Sequence, residues 1–176
     1  PPRKRRLCRM WAVYKREMQS FFLSPVGYVF MGFFLLISGY FFTVNNIFST
    51  NANFNTVLGN IIFLFMMLVP VLTMRLLSEE RKTKTDQLLL TSPVPLLSIV
   101  LGKYMAAVSM FLITLLVTSI YPIILFIYGS PALGEILGGY LGFFLMGCTF
   151  IAIGLFVSSL TENQLTAYIA TFAVLL

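Results

Sequence analysis

Residues 26–44 read VGYVFMGFFLLISGYFFTV, nineteen positions without a single charge. Wound as an α-helix at 1.5 Å per residue, they reach about 28 Å, close to the roughly 30 Å hydrocarbon core of a bilayer. Pro25 stands immediately before them, where a missing backbone N–H costs a helix least. The stretch is therefore read as a membrane span, and the composition agrees. Of 176 residues, 59% are hydrophobic and only 10% charged, against about 25% charged in soluble domains, and the mean hydropathy is +0.92. A water-soluble fold of this length would expose apolar patches far larger than soluble monomers carry.

Working outward, four further apolar runs follow. Residues 59–77 (GNIIFLFMMLVPVLTMRLL) form a second span, with Pro70 inside it and Arg75 near its end, from where a long side chain snorkels to the interface. Spans near 104–128 and 136–157 form a hairpin about the GSPALGE turn of 129–135. The last run, 165–176, is 12 residues long and too short to cross unaided, so the chain is expected to continue past Leu176. The expected fold class is thus all-α: a polytopic helical bundle with five spans, the fifth incomplete.

Charge placement gives the topology, because short cytoplasmic loops carry the excess of Lys and Arg. Seven precede the first span (Arg3, Lys4, Arg5, Arg6, Arg9, Lys15 and Arg16), none lies in 45–58, four lie in 78–103, and none lies in 129–135 or 158–164. The N-terminus and the 78–103 loop are therefore expected to be cytoplasmic. This placement also accounts for the net charge of +6 without nucleic acid, because the cations flank apolar runs. Residues 1–9 form a basic tail that need not be native, since Met10 is a possible start; Lys15 and Arg16 alone keep the orientation. In 10–24 (MWAVYKREMQSFFLS), Trp11, Tyr14, Met18, Phe21 and Phe22 recur at helical spacing, with Lys15, Arg16, Glu17 and Gln19 between them. That pattern predicts an amphipathic helix lying in the membrane interface.

Catalytic signatures are missing from the sequence. There is no histidine, no G-x-S-x-G, no Walker-type G-x-x-x-x-G-K-[ST], and no pair of acids inside a span. Cys8 and Cys148 lack metal-type spacing and read as free thiols. Gly138 and Gly142 form a G-x-x-x-G, for which close helix packing is the ordinary meaning.

The loop of 78–103, SEERKTKTDQLLLTSPVPLLSIVLGK, is far longer than the 4–6 residues or so that join most elements. Ser78 followed by Glu79, Glu80 and Arg81 suits a helix N-terminus, and Pro93 and Pro95 would end that helix after Leu88, Leu89 and Leu90. Its mixture of leucines and charges fits a protein groove or the lipid headgroups equally well.

The pattern EERKTKTDQLLLTSPVPLLSIVLGK resembles the first cytoplasmic loop of ABC-2 type permeases, the membrane subunits of ATP-driven exporters. KREMQSFFLSPVGYVF is similar to the lead-in helix and first span of the same family, closest to its gliding-motility-type subgroup. The resemblance runs from Met10 through the rest of the chain, and the loop is its specific part. It implies six spans per subunit, two permease subunits facing each other in a bacterial cell membrane, and a separate cytoplasmic ATPase that uses ATP-Mg. The permease itself would then be no enzyme and bind no cofactor. The resemblance further implies that the ATPase docks on Glu79, Glu80, Arg81, Lys82, Thr85, Asp86, Gln87, Leu88 and Leu89. One departure is Lys84-Thr85-Asp86-Gln87, where many members have Gly-Thr followed by Glu. From other classes, a membrane scaffold without transport remains open. An ion-coupled carrier has in its favour only Pro70 and Pro122 as helix breaks.

Overall fold

The computed structural model describes residues 2–49, 54–82, 96–128, 132–161 and 163–176, with side chains except at 2–9, 75, 77–82, 96 and 128. Described residues are almost wholly helical, with no strand among them. In chain order the helices are α1 (Pro2–Leu23), α2 (Pro25–Phe42), a π-helical segment (Thr43–Phe48), α3 (Asn55–Lys82), α4 (Leu96–Thr118), α5 (Ile120–Tyr128), α6 (Leu133–Leu160) and α7 (Gln164–Leu175). Among the described residues, four stretches are long and apolar enough to cross a membrane: Pro25–Phe48, Asn55–Met74, Leu97–Ile127 and Leu133–Leu160. The fifth apolar run appears as α7, 12 residues long.

Local chemistry sets the boundaries. Pro25 cannot donate into α1, so the chain breaks at Ser24, whose hydroxyl accepts from the Val26 N–H at 3.4 Å and caps α2. Asn163 caps α7 in the same way, accepting from Leu165 N at 3.2 Å. Two expectations need correction. No new helix starts at Ser78 after the second span, whose apolar stretch ends at Met74; α3 runs unbroken to Lys82. The residues after the apolar run are good helix formers with no Gly or Pro among them, so nothing ends the helix there. The third span begins at Leu97 rather than Tyr104, so 96–103 is part of that helix and not of the loop.

The third span is interrupted at Ser119, between α4 and α5. Pro122 has no N–H for the carbonyl four residues back, that of Thr118. The Tyr140 hydroxyl of α6 donates to that carbonyl at 3.0 Å, and its oxygen lies 3.3 Å from Thr118 Oγ1. A break in a membrane helix is tolerable when a neighbour supplies the missing partner in this way. The Tyr121 hydroxyl beyond the break donates to the Leu35 carbonyl of α2 at 3.2 Å, fixing α5 against the first span.

The interior is held by aromatic rings. α3 packs against α2, α6 and α7, and α4 against α1 and α6. Where α2, α3, α4 and α6 meet, Phe65 lies with ring centroids 6.0 Å from Phe34, 4.8 Å from Phe111, 5.1 Å from Phe143 and 6.1 Å from Phe150. Two glycines of α6 let its partners approach. A Cβ at Gly147 would strike the Phe111 ring, and one at Gly154 would lie 2.5 Å from Thr73 Oγ1. Gly142, by contrast, faces open space. Adding a methyl to a helical glycine gains about 1 kcal/mol of helix propensity, whereas overpacking a tight core costs roughly 1–3 kcal/mol. Gly147→Ala should therefore lower the thermal midpoint of the purified full-length protein, and Gly142→Ala should leave it equal or raise it. The same sign for both would contradict this packing.

Candidate functional site

Of the residues singled out for docking, Glu79, Glu80, Arg81 and Lys82 form the final turn of α3, whose last residue lies eight positions beyond the end of its span at Met74. Their side chains, and Thr85, Asp86, Gln87, Leu88 and Leu89 altogether, lie outside the described residues. The structure therefore defines the site by its two flanks.

On the first flank, α3 is seated in α6. Leu72 and Leu76 are buried, Thr73 packs on Gly154, and the Ser158 hydroxyl donates to the Met74 carbonyl at 3.3 Å. On the second flank, α4 is seated on α1. A Cβ at Gly102 would lie 2.9 Å from Val13, so the backbones come close. One residue on, Lys103 Nζ donates to Glu17 Oε1 at 2.9 Å, the lysine only 2% exposed and the glutamate 17%. A turn and a half further, the Tyr14 hydroxyl donates to Ser109 Oγ at 3.1 Å.

This pair overturns two details of the sequence reading. Glu17 is not on the solvated face of α1 but turned toward α4, and Lys103 is not a loop cation marking the interface but a buried one. The pairing is why the third span can begin before Lys103: an ammonium that meets a carboxylate need not leave the apolar run. The apolar residues of α1 also divide. Tyr14, Met18 and Phe21 pack inward, while Trp11 and Phe22 are exposed. A signal was present in the sequence, since Lys103 sits within LLSIVLGKYMAAV and Glu17 is the one acid of α1, but nothing in the spacing joins residues 86 positions apart.

Among the described residues no group of three or more His, Cys, Asp and Glu comes together. The arrangement fixes α3 against α6 and α4 against α1. Four membrane-crossing helices around an aromatic core make this a multi-pass helical membrane protein. The sequence model of the family described as ABC-2 family transporter protein matches residues 42–176, well over half of the chain. The chain belongs to that family of membrane transport components. Comparison with curated proteins and with solved structures gave no match.

Proposed function

We propose that the chain is the permease subunit of an ATP-driven exporter, with the segment around 78–95 receiving a separate cytoplasmic ATPase. Family membership carries this reading. It is supported by the extension of α3 past its span to the charged turn Glu79–Lys82 and by the firm seating of both helices that flank the segment. The docking residues are Glu79, Glu80, Arg81, Lys82, Thr85, Asp86, Gln87, Leu88 and Leu89, with the leucines as buried anchors and the charges setting register. The ATPase would supply ATP-Mg hydrolysis, and a second permease subunit would complete the translocation path. By the placement of Lys and Arg, the N-terminus and this segment are cytoplasmic. α1 lies in the interface and α7 belongs to a fifth span. The likeness that runs along the chain from Met10 supports a place in the gliding-motility-type subgroup, in a bacterial cell membrane.

The test is capture of the cognate ATPase by the full-length permease, comparing wild type with a variant carrying Glu80→Lys, Asp86→Lys and Leu89→Asp. A hot-spot residue is worth about 2 kcal/mol or more, so capture should weaken by at least about 30-fold while membrane insertion is unchanged. Equal capture by both forms would place docking elsewhere. No capture by either would favour a scaffold without transport.

A further inference from the structure

We infer that the outer face of α1 is a docking surface for the headgroups of anionic phospholipids. This goes beyond the exporter reading and requires only that the chain is a membrane protein.

The face is an open groove of about 690 Å³ running from Trp11 to Leu23, lined also by Lys15 and Gln19 and, at its inner edge, by the half-buried Tyr14 and Met18. Its level relative to the bilayer is set from two sides. α2 enters the membrane at Pro25, two residues after α1 ends. Val13 and Glu17 meet Gly102 and Lys103, which stand five and six residues into the span that starts at Leu97, about 8–9 Å along its axis. α1 is thereby held beside the first turns of the third span, at the boundary between hydrocarbon and headgroups.

The chemistry of the face suits that level. Trp11 is exposed and stacks on Tyr14 at 5.1 Å, a pair whose polar edges and apolar faces favour the headgroup zone. Phe22 and Leu23, at the end nearest α2, are exposed and apolar. Lys15 lines the groove between them, and Arg16 is exposed beside it. Glu17, the one acid in α1, faces α4 and is bonded to Lys103, so its charge does not oppose the two cations. A face with aromatic, apolar and cationic groups, its only carboxylate engaged elsewhere, is complementary to phosphatidylglycerol-like lipids and gives zwitterionic ones no equal advantage.

Trp11 is the only tryptophan in the 176 residues and serves as the reporter. The full-length permease, with any other tryptophan changed to phenylalanine, is placed in nanodiscs of phosphatidylcholine containing phosphatidylglycerol. Bromine is carried on one lipid or on the other at equal mole fraction, and a Trp11→Phe variant supplies the background. Brominated phosphatidylglycerol should quench Trp11 more than brominated phosphatidylcholine does. Lys15→Gln and Arg16→Gln should each reduce that preference by about fivefold, and high salt should reduce it as well. Equal quenching by the two lipids would overturn the inference by showing contact without charge selection. Absence of quenching by either would overturn it by taking α1 off the bilayer. The measurement involves no ATPase, so its failure is distinct from failure of the exporter reading.

Discussion

Replacing Phe65 with alanine is expected to lower the stability of the folded bundle by about 2–4 kcal/mol. Phe65 is 0% exposed and its ring meets four others, those of Phe34, Phe111, Phe143 and Phe150. In a water-soluble core the same truncation costs roughly 3–5 kcal/mol, part of which is the transfer of the ring out of water. Here that part shrinks, because a separated helix would show its rings to lipid tails as apolar as the core. What remains is the cavity and the lost ring pairs, each worth about 0.5–1.5 kcal/mol. Phe63, on the same helix but 58% exposed, is the control. Phe63→Ala should change stability by less than about 0.5 kcal/mol. Reversible unfolding of the two variants in mixed micelles would measure both, and comparable losses would mean that the ring cluster does not hold the bundle together.

The Glu17–Lys103 pair should respond asymmetrically to the loss of one partner. Glu17→Gln leaves an ammonium in a site only 2% exposed and takes away the carboxylate it faces. Breaking a buried pair in this way costs up to about 3–5 kcal/mol. Lys103→Met leaves Glu17, which is 17% exposed and at the edge of the contact, so it can turn toward water. A smaller loss of about 1–2 kcal/mol is expected there. The double variant Glu17→Leu/Lys103→Met removes both charges and should recover most of the stability, because exchanging a buried pair for apolar side chains is often near neutral. A double-mutant cycle on the full-length protein, closed with the single variant Glu17→Leu beside Lys103→Met and with Glu17→Gln measured alongside, reads these effects. If the single changes are equal and their costs simply add, the two groups do not act as a pair.

The spans were legible in the sequence because hydrocarbon thickness converts directly into a count of uncharged residues. Val26–Val44 falls inside the observed Pro25–Phe48, and 136–157 inside Leu133–Leu160. The point where the third span starts was not legible, because a lysine among apolar residues ordinarily marks an interface, and only the tertiary contact with Glu17 reverses that meaning. Nor could the packing faces be read. In α6, Ile136, Phe143 and Ile151 are buried while Leu137, Leu141 and Leu145 are exposed, and the two sets are equally apolar. When lipid replaces water outside the bundle, hydropathy no longer separates inside from outside, and shape takes over. Gly147 and Gly154 carried that information as small residues, but a glycine alone does not say which ring or hydroxyl will fill its space. For the candidate site, the charged stretch stood out by composition. The seating of its flanks on α6 and α1 depends on contacts between residues more than eighty positions apart, which no local pattern records.

The unbroken course of α3 has a mechanical meaning. Its 28 residues make a rod about 42 Å long, longer than the roughly 30 Å of hydrocarbon it crosses. At one end is the charged turn Glu79–Lys82, and at the other the Asn55 amide donates to the Glu135 carbonyl at the start of α6, 3.1 Å away. Axial displacement of such a rod is nearly lossless, because stretching it would break backbone hydrogen bonds in series. Bending is easier, and the weakest point is Pro70, where the ladder lacks one rung. A push along the axis at Lys82 would therefore arrive at the Asn55–Glu135 contact as translation, whereas a sideways push would be spent at Pro70.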